Sequence, residues 1–176
     1  MRFLVKTGVL ALLLVASLDA KGPTSRIVIR DTALGTVSEI ADRSVLDQFQ
    51  VWAGRGTYSG PPDLQTEGTQ GFIVDWTAGT VDQRPRQLRR YELRFYVGPK
   101  RALPASVAAN PPADELAYVV IYEHDPATGR GYVYLPGRSD EHFGLNVRSI
   151  HRGLEGQWLH ANQAWESTFA ALSAAR

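Results

Sequence analysis

Two stretches bring together residue types that acid–base or nucleophilic chemistry uses. Arg138-Ser139-Asp140-Glu141-His142 places a hydroxyl, two carboxylates and an imidazole within one loop-sized segment. A serine nucleophile needs a base to take its proton, an orienter behind that base, and oxyanion donors, usually drawn from distant segments. No G-x-S-x-G surrounds Ser139, the motif that holds a nucleophilic serine on a strained strand-to-helix turn. For a metal-independent hydrolase or isomerase the candidate residues are therefore Ser139, Asp140 and His142, joined by Asp75 from an earlier segment. A solvated loop carried by a rigid scaffold is the simpler expectation.

Glu123-His124-Asp125 sets an imidazole between two carboxylates. Neighbours on a strand point to opposite faces, so the three do not converge there. His124 then reads as a strand end and Asp125 as a turn former. The other histidines, His142, His151 and His160, belong to no H-E-x-x-H and to no paired ligand spacing, so no metal site is expected. Gly54-Arg55-Gly56 and Gly129-Arg130-Gly131 stop short of any phosphate-binding motif, so they read as turns. No cofactor is expected.

A third pattern concerns binding. Between Arg84 and Arg101 seven arginines and lysines accompany one acid, Glu92. Arg90 and Arg94 share one side of an alternating strand that Tyr96 continues, and basic residues interleaved with an aromatic suit a polyanion, a lipid headgroup or an acidic partner. Arg90, Arg94 and Tyr96 are the candidate binding residues. The plain alternative is a charged, solvated strand face, or an edge strand protected by charge.

Composition narrows the function classes. Of 176 residues 44% are hydrophobic and 21% charged, as in an ordinary globular domain long enough to bury a core without metal or disulfide. Arg2 and Lys6, the apolar run Gly8–Leu18 and the small Ala20 form a secretory leader over Met1–Ala20, too short in its apolar part to span a bilayer. A periplasmic or secreted location follows as an expectation, with no transmembrane segment after cleavage. The cysteine count is zero, which excludes thiol catalysis, thiolate metal sites and a cysteine-attached lipid anchor. Loss of the leader removes Arg2, Lys6 and Asp19, bringing the formal +1 close to neutral, so nucleic acid is not an expected partner. An anionic envelope component or a protein is.

The elements that must position these groups form one domain over residues 21–176. Arg26–Arg30 and Thr36–Ile40 read as an N-terminal hairpin across the Asp31–Gly35 turn. Ser44–Trp52 has helical period, with Asp42 or Ser44 as N-cap. Gly71–Trp76 reads as a strand, and Gln87–Val97 as a one-sided strand with Tyr91, Leu93, Phe95 and Val97 inward. Leu116–Pro136 is a central hairpin about Asp125-Pro126-Ala127-Thr128-Gly129, with Tyr122 opposite Val133 and both faces apolar. Leu145–Ile150 reads as a strand, Leu154–Leu159 as another or as the approach to a helix, and Ala161–Ala175 as an amphipathic helix. Long loops cover 55–70, 98–114 and 136–144. The expected fold is a mainly antiparallel α+β domain of about six strands with a short helix in its N-terminal half and a longer one at its C-terminus; a partly closed barrel or a sandwich is the competing architecture. A sheet and helix packed this way also leave room for a small apolar ligand between them.

Overall fold

A computed structural model describes residues 22–57, 72–98 and 113–174. The leader expected over Met1–Ala20, Gly71 of the expected strand, and most of the loops expected over 55–70 and 98–114 lie outside those residues. The described elements run β1 (Thr24–Asp31), β2 (Val37–Ile40), α1 (Arg43–Leu46), β3 (Arg89–Val97), β4 (Glu115–Asp125), β5 (Arg130–Tyr134), α2 (Phe143–Ser149), β6 (Trp158–His160) and α3 (Gln163–Ala174). They form an α+β fold on one open antiparallel sheet in the order β2-β1-β3-β4-β5-β6. The sheet does not close, and no second sheet faces it among the described residues.

The β4–β5 hairpin has the expected register, with Tyr122 opposite Val133 and Glu123 opposite Tyr132. Asp125 fixes its turn by accepting from the Ala127 amide (3.0 Å) and the Thr128 hydroxyl (2.8 Å), while Gly129 takes φ +69°, a conformation costly for residues with a Cβ. Gly131 answers a different need. A Cβ there would lie 2.4 Å from the Tyr122 ring.

Alternation sorts the side chains to two unlike faces. Ile27, Ile29, Leu93, Phe95, Tyr118, Val120, Tyr122, Val133 and Leu159 point to one side, and all are buried. Against them lie Leu46, Phe49 and Val51 after α1, Phe72 and Ile73, and the Trp165–Phe169 stripe of α3. Phe169 meets Tyr91 and Tyr122 at ring centroid distances of 4.8 Å each, and Trp165 meets Phe49 at 5.2 Å. These rings pack in the layer between sheet and helix. The other side carries Arg90, Glu92, Arg94 and Tyr96 on β3, Ile121 and Glu123 on β4, Tyr132 and Tyr134 on β5, and Trp158 and His160 on β6.

Four elements differ from the sequence-based expectation, each for a physical reason. Leu145–Ile150 is not a strand but the greater part of α2. Leu145 and Val147 suggest a period of two, yet Phe143, Asn146 and Ile150 recur at helical spacing. Asn146 is fully buried, accepting from the Val119 amide (2.8 Å) and donating to the Val119 carbonyl (2.6 Å). The β4–β5 ladder ends at Ile121 and Tyr134, and the Asn146 amide, with one donor and one acceptor, replaces the missing strand partner beyond it.

The helix expected over Ser44–Trp52 is helical only through Leu46, capped by Asp42 accepting from the Ser44 amide at 2.8 Å. Downstream, the carbonyls of Val51, Ala53 and Arg55 are taken by the Arg152 guanidinium instead of helical amides. Phe72–Trp76 makes one isolated bridge, Val74 with Ala161, and is no strand in its own right. Finally, β3 is an interior strand between β1 and β4, so its charges are not edge protection.

Candidate functional site

The chain reaches β3 by a route that creates an open concavity. Val81 donates to the Trp158 carbonyl (2.8 Å), and Thr80 bridges Leu159, so this segment lies along the outer edge of β6. From there to Arg89 it must pass β6, β5 and β4, and residues 82–88 do so across the charged face. Gln87 takes φ +64° on the way, a left-handed conformation uncommon for a residue with a Cβ and often found where backbone clamps a ligand. Between this crossing segment and the sheet lies an open cleft of about 810 Å³.

Glu123 lies at that cleft, with only 3% of its surface exposed. A carboxylate so placed is costly unless paired and fully hydrogen-bonded. Arg90, directly opposite on β3, donates from Nε (3.0 Å) and Nη2 (2.8 Å) to Oε1. Arg84 donates from Nη1 to Oε2 out of the crossing segment. Its guanidinium also lies 3.9 Å from the centre of the Trp158 ring, and Trp158 packs on Tyr134 at 5.1 Å. Both arginines stay partly open to water, 27% and 50% exposed in their side chains. Arg86 completes the set: it lines the same cleft, is exposed, and has no carboxylate partner among the described residues. Asp82 is the second carboxylate of the lining, so three arginines meet two acids.

The candidate binding residues share this face but are largely occupied. Arg90 is committed to Glu123. Arg94 donates to Glu92 at 2.5 Å, which raises the pKa of its guanidinium. Burial works to raise the pKa of Glu92, but Arg94 and His142 outweigh it and hold the carboxyl below its ordinary value. Tyr96 lies under Arg26, whose guanidinium carbon is 3.9 Å from the ring centre.

The candidate catalytic residues are not brought to one point. Asp140 accepts from the Gly137 amide (2.6 Å) and the Tyr134 hydroxyl (2.8 Å) and so braces its own turn. Ser139 beside it is exposed. His142 Nε2 lies 3.2 Å from Glu92 and ties the start of α2 to β3. Asp75 accepts from the Thr77 hydroxyl (2.7 Å) and from the Thr77 and Ala78 amides, bonds that lower its pKa and close a turn beside β6. His124 faces the core, with Phe169 at 5.1 Å, and burial lowers its pKa against the opposing pull of Glu166 and Asp125. Among the described residues no three of His, Asp and Glu form a metal-holding group.

A second arginine cluster is built the other way round. Arg152 is 2% exposed and donates to the carbonyls of Ala53 (3.0 Å), Arg55 (2.8 Å) and Val51 (2.7 Å). Its guanidinium lies over Phe72, 4.3 Å from the ring centre, with Trp76 and Tyr118 at 5.2 and 5.1 Å. Burial pushes its pKa down against the pull of Tyr118 and Glu155. Gly56 lets the latched loop close up, since a Cβ there would lie 2.4 Å from the His151 carbonyl oxygen.

Sequence reasoning does not single out Arg84, Arg86 or Arg152, and it takes Glu123 only together with its neighbours His124 and Asp125. The signal for Glu123 is a carboxylate that follows a run apolar on both faces of its strand, which must find cations somewhere. The chain matches no family model, no curated protein and no solved structure.

Proposed function

We propose that the protein is an exported, non-catalytic binding domain of the cell envelope, acting in the periplasm or outside the cell, and that it holds an anionic partner on the charged face of its sheet. The leader pattern over Met1–Ala20 supports the location. One observation carries the binding reading: an open cleft of about 810 Å³ lined by Arg84, Arg86 and Arg90, in which a buried carboxylate already holds two of the three guanidinium groups. Asp75 and Asp140 spend their carboxylates on turns, His142 faces Glu92, and Ser139 lies exposed beside them, an arrangement that supports binding over catalysis.

The test uses retention at low salt on immobilised heparin and co-sedimentation with vesicles containing phosphatidylglycerol. Arg86→Glu is the variant of choice because Arg86 supports no carboxylate among the described residues, whereas reversing Arg90 would strand Glu123. Wild type is retained and Arg86→Glu is not, and higher salt weakens retention. Equal behaviour of the two proteins on both matrices removes the reading. Fractionation of cells expressing the full chain tests the location: the protein leaves the cytoplasm, and deletion of residues 2–20 keeps it there.

A further inference from the structure

We infer that the cleft over Glu123 is a recognition site for a single oxyanion group, a phosphate or carboxylate carried by a small molecule, held by Arg86 together with the outward N–H groups of Arg84 and Arg90. This rests on the binding reading above and narrows it from a charged face to one site.

The argument begins with donor accounting. Each guanidinium presents five N–H donors in a fixed fork. Arg84 spends Nη1 on Glu123 and Arg90 spends Nε and Nη2, so each keeps further N–H groups. Those groups belong to side chains that line an open cleft. Oxygens of an oxyanion are their natural acceptors, since charge-assisted bonds to planar forks are short and strong.

Rigidity is the second part. Free arginine side chains lose rotamer freedom when a ligand orders them, which weakens binding. Here Arg90 is fixed by its two bonds to Oε1, and Arg84 is fixed from one side by Glu123 and from below by the Trp158 ring. The ordering cost has been met in folding. Glu123 also tempers the positive charge of the pair, so the cleft holds a modest excess of cations over acids, suited to one anionic group rather than a long polyanion.

Backbone strain is the third part and is independent of charge. Gln87, with its left-handed φ of +64°, sits in the wall between Arg86 and Leu88. Such residues persist where the surrounding structure over-determines them, and they gather at ligand clamps.

The other arginines of this face do not offer an equivalent. Arg94 is held by Glu92, and Arg26 lies on Tyr96 and also pairs with Glu39 and Asp114. Neither these two nor Arg30, opposite Glu92 on β1, lines the cleft.

Calorimetric titration of the purified protein with inorganic phosphate and, separately, with citrate tests the inference. At least one of the two binds saturably with one-to-one stoichiometry, and which one identifies the oxyanion. Arg86→Ala weakens that binding about tenfold, the loss of one charge-assisted contact. Arg86→Lys restores part of it, because a point charge replaces the fork. Arg148→Ala, on the exposed side of α2, leaves it unchanged. Circular dichroism and thermal midpoint establish that all variants are folded. Saturation by neither anion overturns the inference, as does an equal loss in Arg86→Ala and Arg148→Ala. Heparin retention that depends on Arg86 but is not competed by phosphate or citrate overturns it too, while leaving the binding reading standing. Saturable phosphate or citrate binding without heparin or vesicle retention supports the inference and removes only the macromolecular partner.

Discussion

Two arginine clusters in this molecule solve opposite problems. At Arg152 the cation is buried, its Nη groups donate to the backbone carbonyls of Val51, Ala53 and Arg55, and its Nε is shut in without a hydrogen-bond partner among the described residues, so burial closes the group off from a ligand. At Glu123 the anion is buried and the cations around it keep one side open to water. The first arrangement is a latch: it closes a loop that has too few amides of its own to satisfy its carbonyls. The second is a scaffold for further bonding. Which partner is buried therefore decides whether an arginine cluster serves the fold alone or also a ligand.

The sharpest way to break this comparison is to remove the latch. Arg152→Met keeps the length and apolar stem but leaves buried carbonyls without donors, so unfolding in urea is expected to show a loss of about 4 kcal/mol, near that of breaking a buried ion pair. A loss below about 1 kcal/mol would mean that those carbonyls find water and that the latch is dispensable. Glu123→Gln probes the other cluster. Its two arginines can turn outward into solvent, so the expected loss is smaller, about 2 kcal/mol. If Glu123→Gln costs more than Arg152→Met, the contrast drawn between a closed and an open cluster is wrong.

A shallower effect concerns acid. Burial holds the pKa of His124 below the ordinary 6.5, so the unfolded chain takes up the proton first. The contribution of His124 to stability is complete above the unfolded value and is lost as pH falls through about 6.5 toward the lower folded value. Thermal midpoints measured across that range should decline in wild type and decline less in His124→Phe, which retains a ring against Tyr122 and Phe169. Parallel curves would place the acid sensitivity elsewhere. The smallest expected effect belongs to Arg86→Ala, which should change stability by no more than about 0.5 kcal/mol, because the side chain is exposed and pairs with no carboxylate among the described residues. A larger loss would make Arg86 part of the fold rather than a free ligand-facing cation.

Much of the architecture was legible in residue patterns because it depends on local rules. The turn chemistry of Asp125 and Gly129 set the hairpin register, the alternation from Tyr91 to Val97 identified a half-buried strand, and Trp165 and Phe169 marked the inner face of α3. Leu145–Ile150 misled because Leu145 and Val147 alternate while the decisive contact is polar. Only the end of the β4–β5 ladder explains why an asparagine is wanted there. The cleft was harder still. Arg84 and Arg86 stood in the noted basic run, but nothing local says that residues 82–88 cross the sheet from β6 to β3. Glu123 was seen beside His124 and Asp125 along the chain, whereas its partners come from the neighbouring strand and the crossing segment. Interactions set by strand order are not written in the spacing of one strand.

The central claim is that Arg84, Arg86 and Arg90 share an anion site from which Arg152 is excluded. Side-chain Nε–H resonances of arginine, followed by NMR while inorganic phosphate or citrate is added, test this directly. The account predicts that the signals of Arg84, Arg86 and Arg90 shift together along one saturating curve for at least one of the two anions, while that of Arg152 stays fixed. Shifts at exposed arginines throughout the surface without saturation, or no movement at the three cleft residues, would contradict it.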